Sequence, residues 1–179
     1  MNKKFKSDAY RMTGEEKISF LRRGFLCLLF PHIRYVKLYR KCEKRKCILT
    51  KMRMHRLSKK YGLEISLRAD IGEGLYLGHP YNITVAGGVK IGKNANLHKG
   101  CTIGRENRGK RAGVPTLGDC VYVGINSTVV GNITIGDDVF IAPNSFVNFD
   151  VPSHSVVLGN PGVIHQKENA TENYIIHRV

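Results

Sequence analysis

LGDCVYVGINSTVVGNITIGDDVFIAPNSFV, residues 117–147, sets an aliphatic residue at every sixth position: Leu117, Val123, Val129, Ile135, Ile141 and Val147. A helix returns side chains to one face every 3.6 residues and a strand every two, so a period of six belongs to neither element alone. It belongs to a coil whose sides are short strands, each aliphatic pointing inward and stacking on its equivalents above and below. Working outward, the grid continues upstream through Ile91, Leu97 and Ile103 and, before a slip of two residues, through Ile65, Ile71, Leu77 and Ile83. A small residue follows most grid positions (Gly72, Gly78, Gly92, Gly104, Gly118, Gly124, Gly136, Ala142), where a tight corner is expected to need glycine's backbone freedom. A second inward position, four residues after the grid, runs from Ala69 and Leu75 to Ser145 and Val151 in small or aliphatic residues. A β-sandwich would instead alternate with period two between irregular turns. The expected fold is mainly β: a parallel β-helix of hexapeptide repeats with a short N-terminal helical segment.

The 179-residue chain is long enough for one such solenoid and a helical attachment. Its net charge of +15 is unevenly placed: residues 1–60 hold 19 Lys and Arg against four acids, and the remainder holds ten of each sign. This basic segment reads as helical, with an apolar stretch from Ile18 to Phe30 ended by Pro31 and an amphipathic one from Ile33 to Tyr61. Two roles are open to it. One is a cap that packs its apolar face on the solenoid end or on another subunit, its bases solvated. The other is attraction to an anionic membrane surface or polymer. Nucleic acid is not an expected partner, because no zinc-finger, helix-turn-helix or aromatic stacking motif accompanies the bases. The apolar run 24–30 is short, internal and followed by no cleavage site, so it does not read as a secretory leader, and no stretch approaches membrane-spanning length. Five cysteines without a CxxC pair suit a reducing compartment, and the expected setting is the cytoplasm. The expected organisation is a basic helical leader at 1–62, the solenoid at 63–165 with an excursion loop at 104–116, and a tail at 166–179.

From residue 64 to about 165 the repeats resemble those of the hexapeptide-repeat acyltransferases. The resemblance implies a left-handed parallel β-helix, a homotrimer, and acetyl-CoA as acyl donor with no metal. YGLEISLRADIGEGLYLGH, residues 61–79, is similar to the opening of the catalytic domain of serine acetyltransferases, where an acid-Ile pair precedes the first repeats and a His closes them. That likeness implies His79 as the catalytic base and Glu64 as its carboxylate partner. With about eighteen residues per coil, a separation of fifteen sets the two on adjacent coils near one corner. A neutral imidazole there takes the proton of an attacking hydroxyl while the carboxylate fixes its tautomer. His98 has no acid at comparable spacing and reads as a surface histidine; Asp70 matches no family acid and reads as a solvated corner.

The grid breaks at GRENRGKRAGVPT, residues 104–116, a charged loop thrown out of the coil. A loop at this place in the resembled family reaches over the active site, which implies Arg108 and Lys110 on the cofactor phosphates and Arg111 on an acidic acceptor group. The repeats at 123–128 and 141–146 resemble the coils along which the pantetheine arm runs, implying the amides of Gly124 and Ala142 as donors to it. VPSHSVVLGNPGVI, residues 151–164, resembles the terminal signature, with Gly162 where that signature usually has Ala.

Departures from the serine acetyltransferases strike the acceptor pocket. Gly78 stands where they carry an Asp before the catalytic His, Val114 where they carry a second His, and the leader is shorter than their helical domain. A bound amino acid needs a carboxylate for its ammonium group, which Gly78 cannot supply. The expected function is therefore acetyl-CoA-dependent O-acetylation of a sugar hydroxyl on a surface-polysaccharide precursor. Serine O-acetylation in cysteine biosynthesis is the alternative, and a non-catalytic β-helix scaffold the remote one. Restoring the acid by Gly78→Asp is expected to favour serine. Zinc-dependent hydration of carbon dioxide is not expected, since it needs three imidazoles on one metal and only His79 and His98 lie in the solenoid before its final coil.

Overall fold

The computed structural model describes residues 2–44 and 47–179, in which four helices precede a stack of short parallel strands. The strands build three faces. A five-stranded face holds Glu64–Ile65, Thr84–Val85, Thr102–Gly104, Thr128–Val130 and Phe146–Val147. A four-stranded face holds Asp70–Ile71, Lys90–Ile91, Thr116–Leu117 and Thr134–Ile135. A six-stranded face holds Tyr76–Gly78, Asn96–His98, Tyr122–Val123, Val139–Ile141, Ser155–Leu158 and the antiparallel Val163–Gln166. Each coil takes one strand from each face, and the thirteen residues of the expected grid are all buried. The fold is a parallel β-solenoid of about five turns, as the sixfold period requires.

Two details differ from expectation. Val85, not Ile83, stands on the grid, in register with Ile65 and Ile103. Ile83 fills the second inward position, its carbonyl accepting from the Glu64 amide at 2.8 Å, so the two extra residues fall in the corner between Leu77 and Ile83. The glycines that follow grid residues do not serve turn geometry either, for the left-handed positions come two residues later, at Gly74, Asn94, Cys120 and Asp138. Gly72 is small because a Cβ there would lie 2.5 Å from the Gly92 carbonyl oxygen of the next coil, which is closer than real Cβ atoms approach.

The helices are α1 (Lys3–Thr13), α2 (Phe20–Leu29), α3 (Pro31–Lys44) and α4 (Ile48–Tyr61). Pro31 begins a helix as well as following one: its missing N–H goes unneeded in a first turn. Helix α1 gives no apolar stripe in the sequence, because its buried face combines Phe5 and Ala9 with Asp8 and Arg11.

Those charges answer a problem of the solenoid. Its first coil has no coil beneath it, and the bare edge would leave backbone groups unpaired. Tyr35 donates to the Leu63 carbonyl (3.4 Å), Tyr39 to those of Ser66 and Ala69 (3.2 and 3.3 Å), and Lys4 to that of Ile71 (2.7 Å). Arg40, fully buried, donates to the carbonyls of Ile71 (2.8 Å) and Gly72 (2.6 Å) and pairs with buried Asp8 (2.8 and 3.2 Å), which itself accepts from the Leu75 amide (2.8 Å). The leader is thus a cap, but Lys4, Arg11 and Arg40 are bonded to the coil rather than solvated. At the other end the Val163–Gln166 strand folds back, and the chain beyond it crosses the six-stranded face. There Asp138 accepts from the Ala170 and Thr171 amides (2.9 and 3.0 Å), and Tyr174 packs on Phe140 with ring centroids 4.4 Å apart.

Replacing Arg40 by Met leaves Asp8 buried without its partner, an imbalance that costs about 3–5 kcal/mol. Urea denaturation should show Arg40→Met destabilised by about that amount, and Asp8→Leu/Arg40→Met destabilised by less than the sum of the two single changes.

Candidate active site

The corner that carries His79 is held by the end of α4. Gly62 closes that helix in the left-handed region (φ 65°), and a Cβ there would lie 2.2 Å from Asn82 Oδ1. The Asn82 amide donates to the Tyr61 carbonyl at 2.9 Å, and the Tyr61 ring meets Tyr81 edge-on, centroids 5.4 Å apart. The inserted residues let this corner bulge outward. His79 takes a left-handed φ of 48°, its carbonyl accepts from the Tyr81 amide at 2.7 Å, and its side chain is exposed. Such a φ in a non-glycine residue is uncommon and is held here by the surrounding packing.

Glu64 is also exposed, at the start of the turn that His79 closes, in register with Thr84 just past the His79 corner. The two residues thus belong to one turn rather than to adjacent coils, and among the described residues neither side chain makes a hydrogen bond or ion pair. His79 acts electrostatically instead on His98, which is no surface histidine. Burial first, and then the His79 charge, push the His98 imidazole down to about 4, so it is neutral at ordinary pH. Its ring lies 4.5 Å from that of Tyr122, and its buried Nε2 has no hydrogen-bond partner. His98 pairs in register with Gly78, and a Cβ on Gly78 would lie 2.4 Å from the His98 ring. Gly78→Asp therefore requires the His98 ring to move out of the space that a Cβ would enter. With Arg11, Asn96 and Tyr174, His98 and Tyr122 line a cavity of about 230 Å³ on the six-stranded face.

The remaining candidates are redistributed. The Gly124 amide donates to the Ile141 carbonyl and the Ala142 amide to that of Val157, each at 2.9 Å, so neither N–H is free for a pantetheine arm. Gly124 is glycine because a Cβ would lie 2.6 Å from the Pro143 nitrogen of the next coil. The loop is pinched by mutual backbone bonds between Glu106 and Gly113, with Arg108 and Lys110 exposed at its tip. Arg111 donates to the Asn148 carbonyl and ties the loop to the coil. Asp70 is exposed, 3.8 Å from Lys4. Among the described residues no group of three or more His, Cys, Asp or Glu could hold a metal ion.

The model of the bacterial transferase hexapeptide (six repeats) family matches residues 115–148. The serine acetyltransferase of Staphylococcus xylosus is 38% identical over 109 residues, covering 60% of this chain and 50% of its own length. Serine acetyltransferase 2 of Arabidopsis thaliana is 39% identical over 108 residues, covering 59% of this chain and 33% of its own. The chain thus spans half or less of the length of these relatives. Among solved structures, Neisseria gonorrhoeae serine acetyltransferase superposes with a TM-score of 0.74 at 26% identity, over 93% of this chain and 66% of that one. In repeat and in fold the chain is serine acetyltransferase-like.

The contact between Gly78 and His98 is testable by a double-mutant cycle. Gly78→Ala alone should overpack the corner and destabilise by about 1–3 kcal/mol, and His98→Ala should remove most of that penalty. Thermal denaturation of the two single variants and the double variant measures it.

Proposed function

We propose that the chain transfers an acetyl group from acetyl-CoA to an acceptor hydroxyl, with His79 as general base and Glu64 as the residue that orients it. What supports this is the exposed imidazole fixed at a bulged corner of a serine acetyltransferase-like solenoid, with a carboxylate at the start of the same turn. As the hydroxyl oxygen bonds to the thioester carbonyl carbon, His79 takes its proton. The imidazolium then returns that proton to the departing coenzyme A thiolate. Glu64 stabilises the imidazolium across the corner. Arg108 and Lys110, free at the loop tip, meet the cofactor phosphates, while Gly124 and Ala142 contribute coil surface rather than hydrogen bonds. The working form is a homotrimer in the cytoplasm, in which the cofactor groove lies between neighbouring subunits.

Serine is the better supported acceptor, since the relatives and solved neighbours are serine acetyltransferases. The reading from the sequence alone had favoured a surface-polysaccharide sugar. A specific observation keeps the sugar as a second reading: Gly78 offers no carboxylate to an ammonium group, and His98 closes the space for one.

In a folded protein, His79→Ala should lower turnover by about 10²–10⁴-fold, and Glu64→Gln should cost less because the base is misoriented rather than removed. Acetylation is measured at fixed acetyl-CoA with serine and a panel of sugars in competition. Near-normal turnover by His79→Ala would move the base elsewhere, and preferred acetylation of a sugar would reverse the order of the two acceptors.

A further inference from the structure

A second cavity, of about 420 Å³, lies among α2, α3 and α4 and takes Arg34, Arg53, Arg56, Lys60, Leu28 and Tyr61 into its wall. Its four cations have no acid beside them: among the described residues none is paired with a carboxylate, in contrast to Lys4, Arg22, Arg40 and Lys93. Four uncompensated cations converging on one concavity favour an anion of more than one charge.

The arrangement along α4 narrows the choice. Leu49, Arg53, Arg56 and Lys60 recur at helical spacing on one stripe, which changes from apolar to cationic along its length. The apolar end continues in exposed Ile48 and Met52. On α2, Leu21, Phe25 and Leu28 share one face and are 83%, 59% and 75% exposed, and Leu28 brings that face to the cationic pocket. The cationic end passes through Tyr61 to Tyr81 in the His79 corner. Within the 14 residues of α4, about 21 Å, the order is therefore apolar surface, cationic pocket, reactive corner.

We propose that this pocket binds the diphosphate of a lipid-linked compound, with the α2 and α4 apolar residues lying in the membrane interface. A large exposed apolar face bordered by cations is the surface that an anionic lipid headgroup fits. When a sugar follows the diphosphate, its hydroxyls are delivered towards His79; this last step rests on the second acceptor reading above, whereas the pocket does not.

The full chain is titrated calorimetrically with inorganic pyrophosphate and, in parallel, floated with phosphatidylcholine vesicles carrying a small fraction of a polyisoprenyl diphosphate. Saturable pyrophosphate binding is expected, weakened at least about tenfold in Arg53→Gln/Arg56→Gln and weakened also in Lys60→Gln, with the fold checked by circular dichroism. The doped vesicles retain the chain, pyrophosphate displaces it, and Leu21→Ser/Phe25→Ser loses retention while keeping its pyrophosphate affinity. Arginine variants that bind like the wild type would overturn the pocket, as would displacement of pyrophosphate by coenzyme A, which would assign it to the acyl donor. Retention on plain phosphatidylglycerol vesicles that pyrophosphate does not reverse would reduce it to diffuse attraction. Uridine diphosphate binding as tightly as the doped vesicles would overturn the lipid source, and a changed oligomeric state in Leu21→Ser/Phe25→Ser would give the apolar face to a second copy. A chain that binds polyisoprenyl diphosphate yet acetylates no sugar supports the pocket and refutes only the acceptor reading.

Discussion

The buried pair between Asp8 and Arg40 is the constraint on which the rest of the molecule depends. Removing two charges from water costs several kcal/mol per ion, and such a pair is retained only where its other valences are filled. Here they are filled by the solenoid, since the guanidinium reaches two carbonyls and the carboxylate one amide of the first coil. Burial by itself lowers the pKa of the Arg40 guanidinium; the Asp8 carboxylate, with Glu43, more than offsets this and holds it above its ordinary value. The remaining valences of the pair are filled only while helix and coil are docked, which makes leader and solenoid one unit. From there the chain of constraint is short. Leu75, held by Asp8, precedes His79 by four residues on the same coil, and the far end of the docked leader, at Tyr61 and Gly62, braces the corner from the other side.

A site built this way separates position from chemistry. His79 is fixed by backbone and packing, so it would be placed alike for any acceptor. What surrounds it discriminates, and there the crowding of Gly78 by His98 is the largest departure: a half-buried neutral ring lies where a carboxylate would hold an ammonium group. Likeness of sequence and the residues beside His79 thus carry separate signals.

The period of six made the solenoid legible, since no other architecture returns an aliphatic to the core at that interval. Placement of the slip was not, because Ile83 and Val85 are both aliphatic and both buried, and only register with Ile65 and Ile103 tells which stands on the grid. The same blindness to neighbouring coils hid the Gly78 and His98 contact and made the Gly124 and Ala142 amides look free, when the next coil had already engaged them. Spacing set Glu64 and His79 near one corner but could not say whether they bond. The leader reads as helical, but the buried face of α1 is hidden because a buried charge such as Asp8 reads as a surface charge until its partner, 32 residues away, is known.

A stack of identical coils has no inherent length: each new turn templates another, which is how fibres grow. The two ends of this molecule are where that growth is stopped, by side chains that occupy the last carbonyls at one end and a reversed strand at the other. Because both stops are local, whole turns could be added or removed between them without reopening either edge. The chain could lengthen its solenoid by duplication in the middle, where the excursion loop already shows that a coil accepts extra residues, and remain a discrete particle rather than a seed for polymerisation.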